Sequence, residues 1–216
     1  MRAQTRSPRL SPDDEAVTRG DVIWFYGADA VGKSVVGWEA YSLLVARGVP
    51  AAYVDTDYLG FCEPHPDDHS DLVTANLGAV WRNYAQHGIR YLVVSGILVS
   101  AEHRQRVAAA LSECSLTTVL LQAEPNTIRA RILRRRQIEA AEQQTRLSDP
   151  VLRELDDYGD RSARFAALLE SGRFADLNLK TDDATPTQIA AQALDRLLSS
   201  GALDWGSALS RPGRIS

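Results

Sequence analysis

The chain is poor in several residue classes, and each shortage excludes something. Its two cysteines, Cys62 and Cys114, are too few for a disulfide framework, which points to a reducing compartment and a cytoplasmic location. No apolar run approaches the roughly 20 residues of a membrane span, so no membrane role is expected. Excess positive charge is missing: the formal net charge is −4, whereas domains built around a nucleic-acid backbone are usually basic, so no nucleic-acid partner is expected. Lysine is scarce. Of 24 basic residues only Lys33 and Lys180 are lysines, the rest being arginine in the manner of a GC-rich coding bias. Arginine does not replace lysine where a compact, mobile point charge is needed, so the places where lysine survives are informative.

What remains is an ordinary soluble composition, 44% apolar and 24% charged over 216 residues, which suits one domain with appendages. Residues 1–20 mix Ser, Pro and both charge signs without apolar periodicity and lack the apolar stretch of a secretory signal. They read as a disordered arm, 21–200 as one domain, and 201–216 as a tail whose Trp205 can pack back onto the domain.

Within the domain short apolar runs alternate with helical stretches. Val22–Tyr26, Ala51–Val54, Tyr91–Val94, Thr117–Leu121 and a weaker Ala175–Leu179 read as strands. Helices are expected over Ser34–Arg47, Ser70–His87, Ala101–Cys114, from Pro125 past Arg136, over Asp149–Glu170, and from a Thr185 cap with Pro186 at its first position to about Leu198. Trp38, Trp81 and Tyr84 read as core, and Cys114 as a buried hydrophobe. This rhythm implies βαβ units, a mostly parallel sheet covered on both faces, and ligands at the strands' carboxyl ends.

The first strand runs into Gly27-Ala28-Asp29-Ala30-Val31-Gly32-Lys33-Ser34, then Val35 and a helix. This is G-x-x-x-x-G-K-[ST] in its required strand–loop–helix setting. Such a loop turns backbone N–H groups toward phosphate oxygens, and the helix N-terminus adds favourable potential. Lys33 suits the β- and γ-phosphates of ATP, and the Ser34 hydroxyl suits Mg²⁺. One of the two lysines thus stands where this loop needs one.

The second strand exits through Val54-Asp55-Thr56-Asp57. Alternate residues of an extended segment share a side, so Asp55 and Asp57 can face one ligand. They suit holding Mg²⁺ through water and accepting a proton from an attacking hydroxyl, with Asp57 preferred as the base. The third strand ends Val94-Ser95-Gly96 with no acid, so a metal-side carboxylate has to come from Asp55 or Asp57.

Arg129, Arg131, Arg134, Arg135 and Arg136 crowd one helix, and the polar stretch Gln137–Arg146 after it suits a lid, about 134–150. Planar guanidiniums stabilise charge on a transferring phosphoryl group, and Arg131 and Arg135 share a face at i, i+4. On the acceptor side, the irregular Gly60–Asp71 segment follows Asp57 directly. His65 and His69 in it, Asn76 and Arg82 in the next helix, and Ser95 and Gly96 are candidate substrate contacts. The spacing of Cys62, His65 and His69 fits no structural zinc site.

The phosphate loop, the Asp-Thr-Asp after the second strand, the acid-free third strand and the late arginine-rich lid together resemble the shikimate-kinase-like and gluconate-kinase-like small-molecule kinases. Adenylylsulfate kinases and the chloramphenicol phosphotransferase are similar in layout, as are actinobacterial ATP-binding proteins with the same GKS, VDTD and VVSG landmarks. The resemblance spans residues 21–198. It implies a three-layer α/β/α P-loop NTPase fold with a five-stranded parallel sheet in the order 2-3-1-4-5 and a helical lid. It further implies that Asp55 lies near Mg²⁺, that Asp57 lies near the acceptor hydroxyl, and that Thr181 and Asp182 belong to a loop approaching adenine. Gly96 is followed by Ile97 rather than by the glycine run of shikimate kinases, so the resemblance gives a reaction class and not shikimate as acceptor. The expectation is an ATP- and Mg²⁺-dependent kinase, monomer or homodimer, acting on a hydroxyl of a small polar metabolite or antibiotic-like compound. A nucleoside or nucleotide kinase and a non-enzymatic nucleotide-binding regulatory module are the alternatives.

Overall fold

A computed structural model describes residues 20–64, 66, 68–111 and 114–204. The expected arm up to residue 19, the candidate His65, and the tail from Trp205 onward lie outside the described residues.

The strands are β1 (Gly20–Tyr26), β2 (Ala51–Asp55), β3 (Tyr91–Gly96), β4 (Cys114–Gln122) and β5 (Leu177–Lys180). All pair in parallel in the order β2-β3-β1-β4-β5. The helices are α1 (Lys33–Ala46), α2 (His69–Gln86), α3 (Ala101–Ala110), α4 (Pro125–Glu142), α5 (Asp149–Gly172) and α6 (Pro186–Ser199). A 3-10 turn, Thr56–Tyr58, follows β2. Among the described residues no helix is long and apolar enough to cross a membrane.

The continuous apolar run of β1 is explained by its place at the centre, covered on both faces. Ile23 and Phe25 face one layer, with Val36, Ala40 and Leu44 of α1, Ile128 and Ile132 of α4, and Ile189, Ala193 and Leu194 of α6. Val22, Trp24 and Tyr26 face the other, with Leu77 and Trp81 of α2, Val107 of α3 and Leu169 of α5. Register sets Tyr26 opposite Gly96 on one side and Leu120 on the other, so the loops after β1, β3 and β4 meet at one edge. α6 starts as its sequence indicates: Thr185 and Gln188 close a reciprocal capping box with Pro186 in the first turn.

Two expectations change. Trp38 is not core: it is 52% exposed, as are Val35 and Val45 at similar levels, while Val36, Gly37, Ala40 and Leu44 are buried. α1 is apolar around most of its circumference, so periodicity cannot select a face; the small residues at 37 and 40 let it lie close to the sheet. The helix expected over Ala101–Cys114 is also shorter than its pattern. α3 stops at Ala110, and Cys114 already pairs with Gly20 as the first residue of β4, half-buried. Pairing along β1 overrides local helix pattern there.

His103 locks α3 to α2. It is 5% exposed; its Nδ1 accepts the Val99 N–H at 3.5 Å, and Nε2 faces the Thr74 hydroxyl at 3.5 Å, itself donating to Ser70 O. That network fits the neutral ring, because a proton on Nδ1 would oppose the Val99 donor. Burial, with Arg106 nearby, holds the imidazole below its ordinary 6.5 against the opposing pull of Asp68 and Asp71. The unfolded chain therefore binds the extra proton first: this contribution is complete above about 6.5 and is lost as pH falls below it. The thermal midpoint should drop more between about pH 7.5 and about pH 5.5 in the natural chain than in His103→Asn; equal drops would remove His103 from the account.

Candidate functional site

The phosphate loop forms at the carboxyl end of β1. Gly27 is required twice over: its φ is +155°, and a Cβ there would come 2.5 Å from the Leu121 carbonyl oxygen of β4. Gly32 caps α1 with φ 102°, and Ala30 takes a left-handed φ of 63°. Lys33, the first residue of α1, is buried and folds back over the loop, donating to Ala28 O at 3.0 Å and lying 3.7 Å from Asp29 Oδ1. Ser34 is exposed beside it.

The two acids after β2 differ in surroundings. Asp55 is fastened: Oδ1 accepts the Asp57 N–H at 3.1 Å, capping the 3-10 turn, and Oδ2 lies 3.4 Å from the Tyr53 hydroxyl. Asp57 faces solvent, and its carboxyl is pushed above the ordinary range by burial and the neighbouring Asp55 and Asp29 carboxylates, with Lys33 opposing. Asp29 and Asp57 thus lie near one ammonium, with Asp55 beside Asp57. This excess of carboxylate fits a hard divalent cation. Among the described residues no group of three His, Cys, Asp or Glu side chains could hold a metal. Mg²⁺ fits that donor set, because it commonly takes one or two protein oxygens and completes its shell with phosphate and water; Ser34 and Asp55 are the residues that would hold it.

On the far side, Arg131 joins the loop to the segment after β5. Its guanidinium donates to Ala30 O at 3.3 Å, Val31 O at 3.4 Å and Thr181 Oγ1 at 3.0 Å, and also to Thr181 O. Thr181 is buried, and Asp182 Oδ1 accepts the Glu124 N–H at 2.9 Å. Burial raises the Asp182 carboxyl, but that bond, Thr127 and Arg131 prevail and the net shift is downward. Arg135 is exposed on α4 and close enough to Tyr158 to influence its phenol.

The lid segment is the tip of a helical hairpin, with α4 running unbroken to Glu142 and α5 starting at Asp149. A cleft of about 460 Å³ lies between the two helices, lined by Arg136, Gln143, Tyr158 and Arg161 among others. α5 also reaches the phosphate loop: the Tyr158 hydroxyl donates to Asp29 Oδ2 at 2.7 Å, and Ser162 Oγ donates to Asp29 O at 3.0 Å. Arg161 lies over the Tyr158 ring, 5.8 Å from its centroid. Sequence reasoning missed Tyr158, Arg161 and Ser162, although their i, i+3, i+4 spacing puts them on one helical face.

The acceptor-side candidates separate. Gly96 sits at the edge with the Thr56 side chain packed on its Cα. Ser95 is fully buried, its hydroxyl 2.7 Å from the Tyr53 phenol, so it lies behind the groove rather than lining it. Asn76 Nδ2 donates to Leu59 O at 2.7 Å, pinning the loop after the 3-10 turn. His69 opens α2 with its ring against Gly60. Arg82 is corrected outright: its neighbour Trp81 packs on Gly20 at the start of β1, so Arg82 is at the opposite end of the sheet. Tyr58 and Phe61, not singled out in the sequence, stand 76% and 80% exposed just after Asp57, in edge contact at 6.2 Å.

No family model matches the chain. It is 33% identical over 105 residues to the adenylyl-sulfate kinase of Deinococcus deserti, a stretch covering 45% of this chain and 55% of that protein. The chain thus spans about half the length of the curated relative it matches. The APS kinase of Mycobacterium tuberculosis, solved with AMPPNP and APS, superposes with a TM-score of 0.53 at 19% identity, covering 83% of this chain and 98% of that one. The hexameric APS kinase of Thiobacillus denitrificans gives 0.51 at 14% identity, covering 87% of this chain and 31% of that one. The fold is that of the P-loop small-molecule kinases. In this P-loop kinase fold the sheet order, the loop after β1 and the helical hairpin occupy the places that the sequence indicates.

The phosphate loop depends on the missing side chain at 27. Gly27→Ala should cost on the order of 1–3 kcal/mol of stability and weaken ATP binding, read by thermal unfolding and calorimetry; an unchanged midpoint would mean the Leu121 carbonyl yields freely.

Proposed function

We propose that this chain is an ATP- and Mg²⁺-dependent kinase that transfers the γ-phosphoryl group to a hydroxyl of a small polar molecule. The observation that carries the reading is the meeting of Lys33, Ser34, Asp55 and Asp57 at one strand edge, with Lys33 close enough to Asp57 to influence its proton affinity. The similarity to the Deinococcus deserti adenylyl-sulfate kinase supports the same class.

In this reading the N–H groups of the loop and the start of α1 receive the phosphates. Lys33 exchanges Ala28 O and Asp29 for phosphate oxygens, so its ammonium changes partners without passing through water. A cation held by Ser34 and Asp55 would supply charge neutralisation on the phosphates. Arg135 and Arg161, on the hairpin near the loop, supply further positive charge; Arg131 holds the loop and the Thr181 segment together. Asp57 accepts the proton of the attacking hydroxyl, and its raised affinity for protons makes it a better base than an ordinary aspartate. Catalysis then rests on positioning and electrostatics.

A nucleoside or nucleotide acceptor, adenylyl sulfate among them, is the second reading. The Tyr58–Phe61 pair favours it, because exposed aromatic rings one step past the base suit a planar partner. A metabolite panel containing both nucleotides and other hydroxyl compounds separates the two.

ATP consumption with the true acceptor should fall by at least about 100-fold in Asp57→Asn, in keeping with the worth of a general base. Full activity there would displace Asp57 as base. The base must be ionised, so kcat/KM should decline as pH falls through a value above the ordinary 3.8 of an aspartate. Lys33→Ala should weaken ATP binding and abolish turnover; tight nucleotide binding without acceptor-stimulated turnover in the natural chain would support a regulatory module instead.

A further inference from the structure

Tyr53 belongs neither to the phosphate loop nor to the acidic pair, yet it touches both. Its hydroxyl lies 2.7 Å from Ser95 Oγ, 3.2 Å from the Ser34 carbonyl oxygen and 3.4 Å from Asp55 Oδ2. The carbonyl and the carboxylate can only accept, so the phenol turns its single proton toward them, and the Ser95 hydroxyl donates into the phenol oxygen.

The helix opposite is shaped to admit this ring. Gly37 stands inside α1, where glycine costs up to about 1 kcal/mol relative to alanine. A Cβ there would come 3.1 Å from Tyr53 Cε2 and 3.3 Å from Ser95 Cβ. Trp38 meets the ring edge-on at 5.5 Å, and Tyr41 lies 6.3 Å away. This also accounts for Trp38, which flanks Tyr53 instead of entering the core.

We propose that Tyr53 is a positioning residue for the cation of the site: its hydroxyl ties the backbone of Ser34 to the carboxylate of Asp55, so that the two groups that would share Mg²⁺ are set relative to each other before it arrives. The inference rests on the reading of Ser34 and Asp55 as the cation's protein ligands. Without the tie Asp55 keeps the Asp57 N–H on Oδ1 and can turn about it. The strand that carries it, β2, is an edge strand, with β3 on one side alone. A hydroxyl that orients a metal carboxylate from behind acts on cation affinity more than on nucleotide affinity.

The test is binding of a fluorescent ATP analogue to the full chain, first without divalent cation and then as MgCl₂ is titrated. Tyr53→Phe keeps the ring and removes the hydroxyl. Its affinity without Mg²⁺ should match the natural chain, and the Mg²⁺ midpoint should rise by about tenfold. Ser95→Ala should move the midpoint the same way by less, and in an Asp55→Asn background Tyr53→Phe should add nothing. If Asp55→Asn raises the midpoint and Tyr53→Phe does not, the positioning role is overturned and the proposed function stands. If neither Asp55→Asn nor Ser34→Ala moves it, the cation assignment falls and this inference with it. A Tyr53→Phe protein weakened equally with and without Mg²⁺ also overturns the proposal, since that marks a packing role.

Discussion

The carboxyl edge of the sheet is organised around one buried ammonium group. Lys33 is the sole lysine near the loop, and its charge is answered within its own turn by Ala28 O and by Asp29. Burying an unpaired ammonium is costly, so this pairing keeps the loop in shape when no phosphate is present. Asp55 and Asp57 stand close by, and burial first, then the Asp55 carboxylate, raises the proton affinity of Asp57 against the pull of Lys33. A triphosphate would add still more negative charge. In the proposed function a divalent cation and the arginines of the hairpin would balance it, which would tie the acidic crowding and the arginine-rich helix to one task.

Asp29 extends the same arrangement outward. It meets Lys33 on one side, and on the other it accepts from Tyr158, while its carbonyl accepts from Ser162. The hairpin of α4 and α5 is therefore fastened to the phosphate loop itself and does not hang from its own hinge. Arg131 makes a second fastening, between the loop backbone and Thr181 beyond β5. Two long helices and the last βα connection are thus held to the same eight-residue loop by charged or hydroxyl side chains from distant parts of the chain.

Much of this was legible early. The loop Gly27–Ser34 is contiguous, and its conformation depends on glycines and backbone within it, so spacing alone identifies it. The acidic pair Asp55 and Asp57 is legible for a similar reason, through the two-residue alternation of an extended segment. Arg82 was misread because nearness in sequence to the acceptor loop is not nearness in space: thirteen residues of helix from His69 carry it about 20 Å away, toward the amino ends of the strands. Trp38 was misread because a helix apolar on nearly every side carries no periodic signal. Tyr53 and Tyr158 went unnoticed because their partners, Ser95 and Asp29, are 42 and 129 positions away.

The sequence by itself determined what is written in short spans: the phosphate loop, the acids after the second strand, and the alternation of strand and helix that builds a parallel sheet. Tertiary structure alone decided which hydroxyls stand behind those groups, which face of α1 meets the sheet, and which end of α2 reaches the groove. The division is physical. Local spacing fixes backbone geometry within a turn or a strand, whereas the fastening of Asp55, Asp29 and Ser34 depends on side chains that meet only when strands pair and helices close over them.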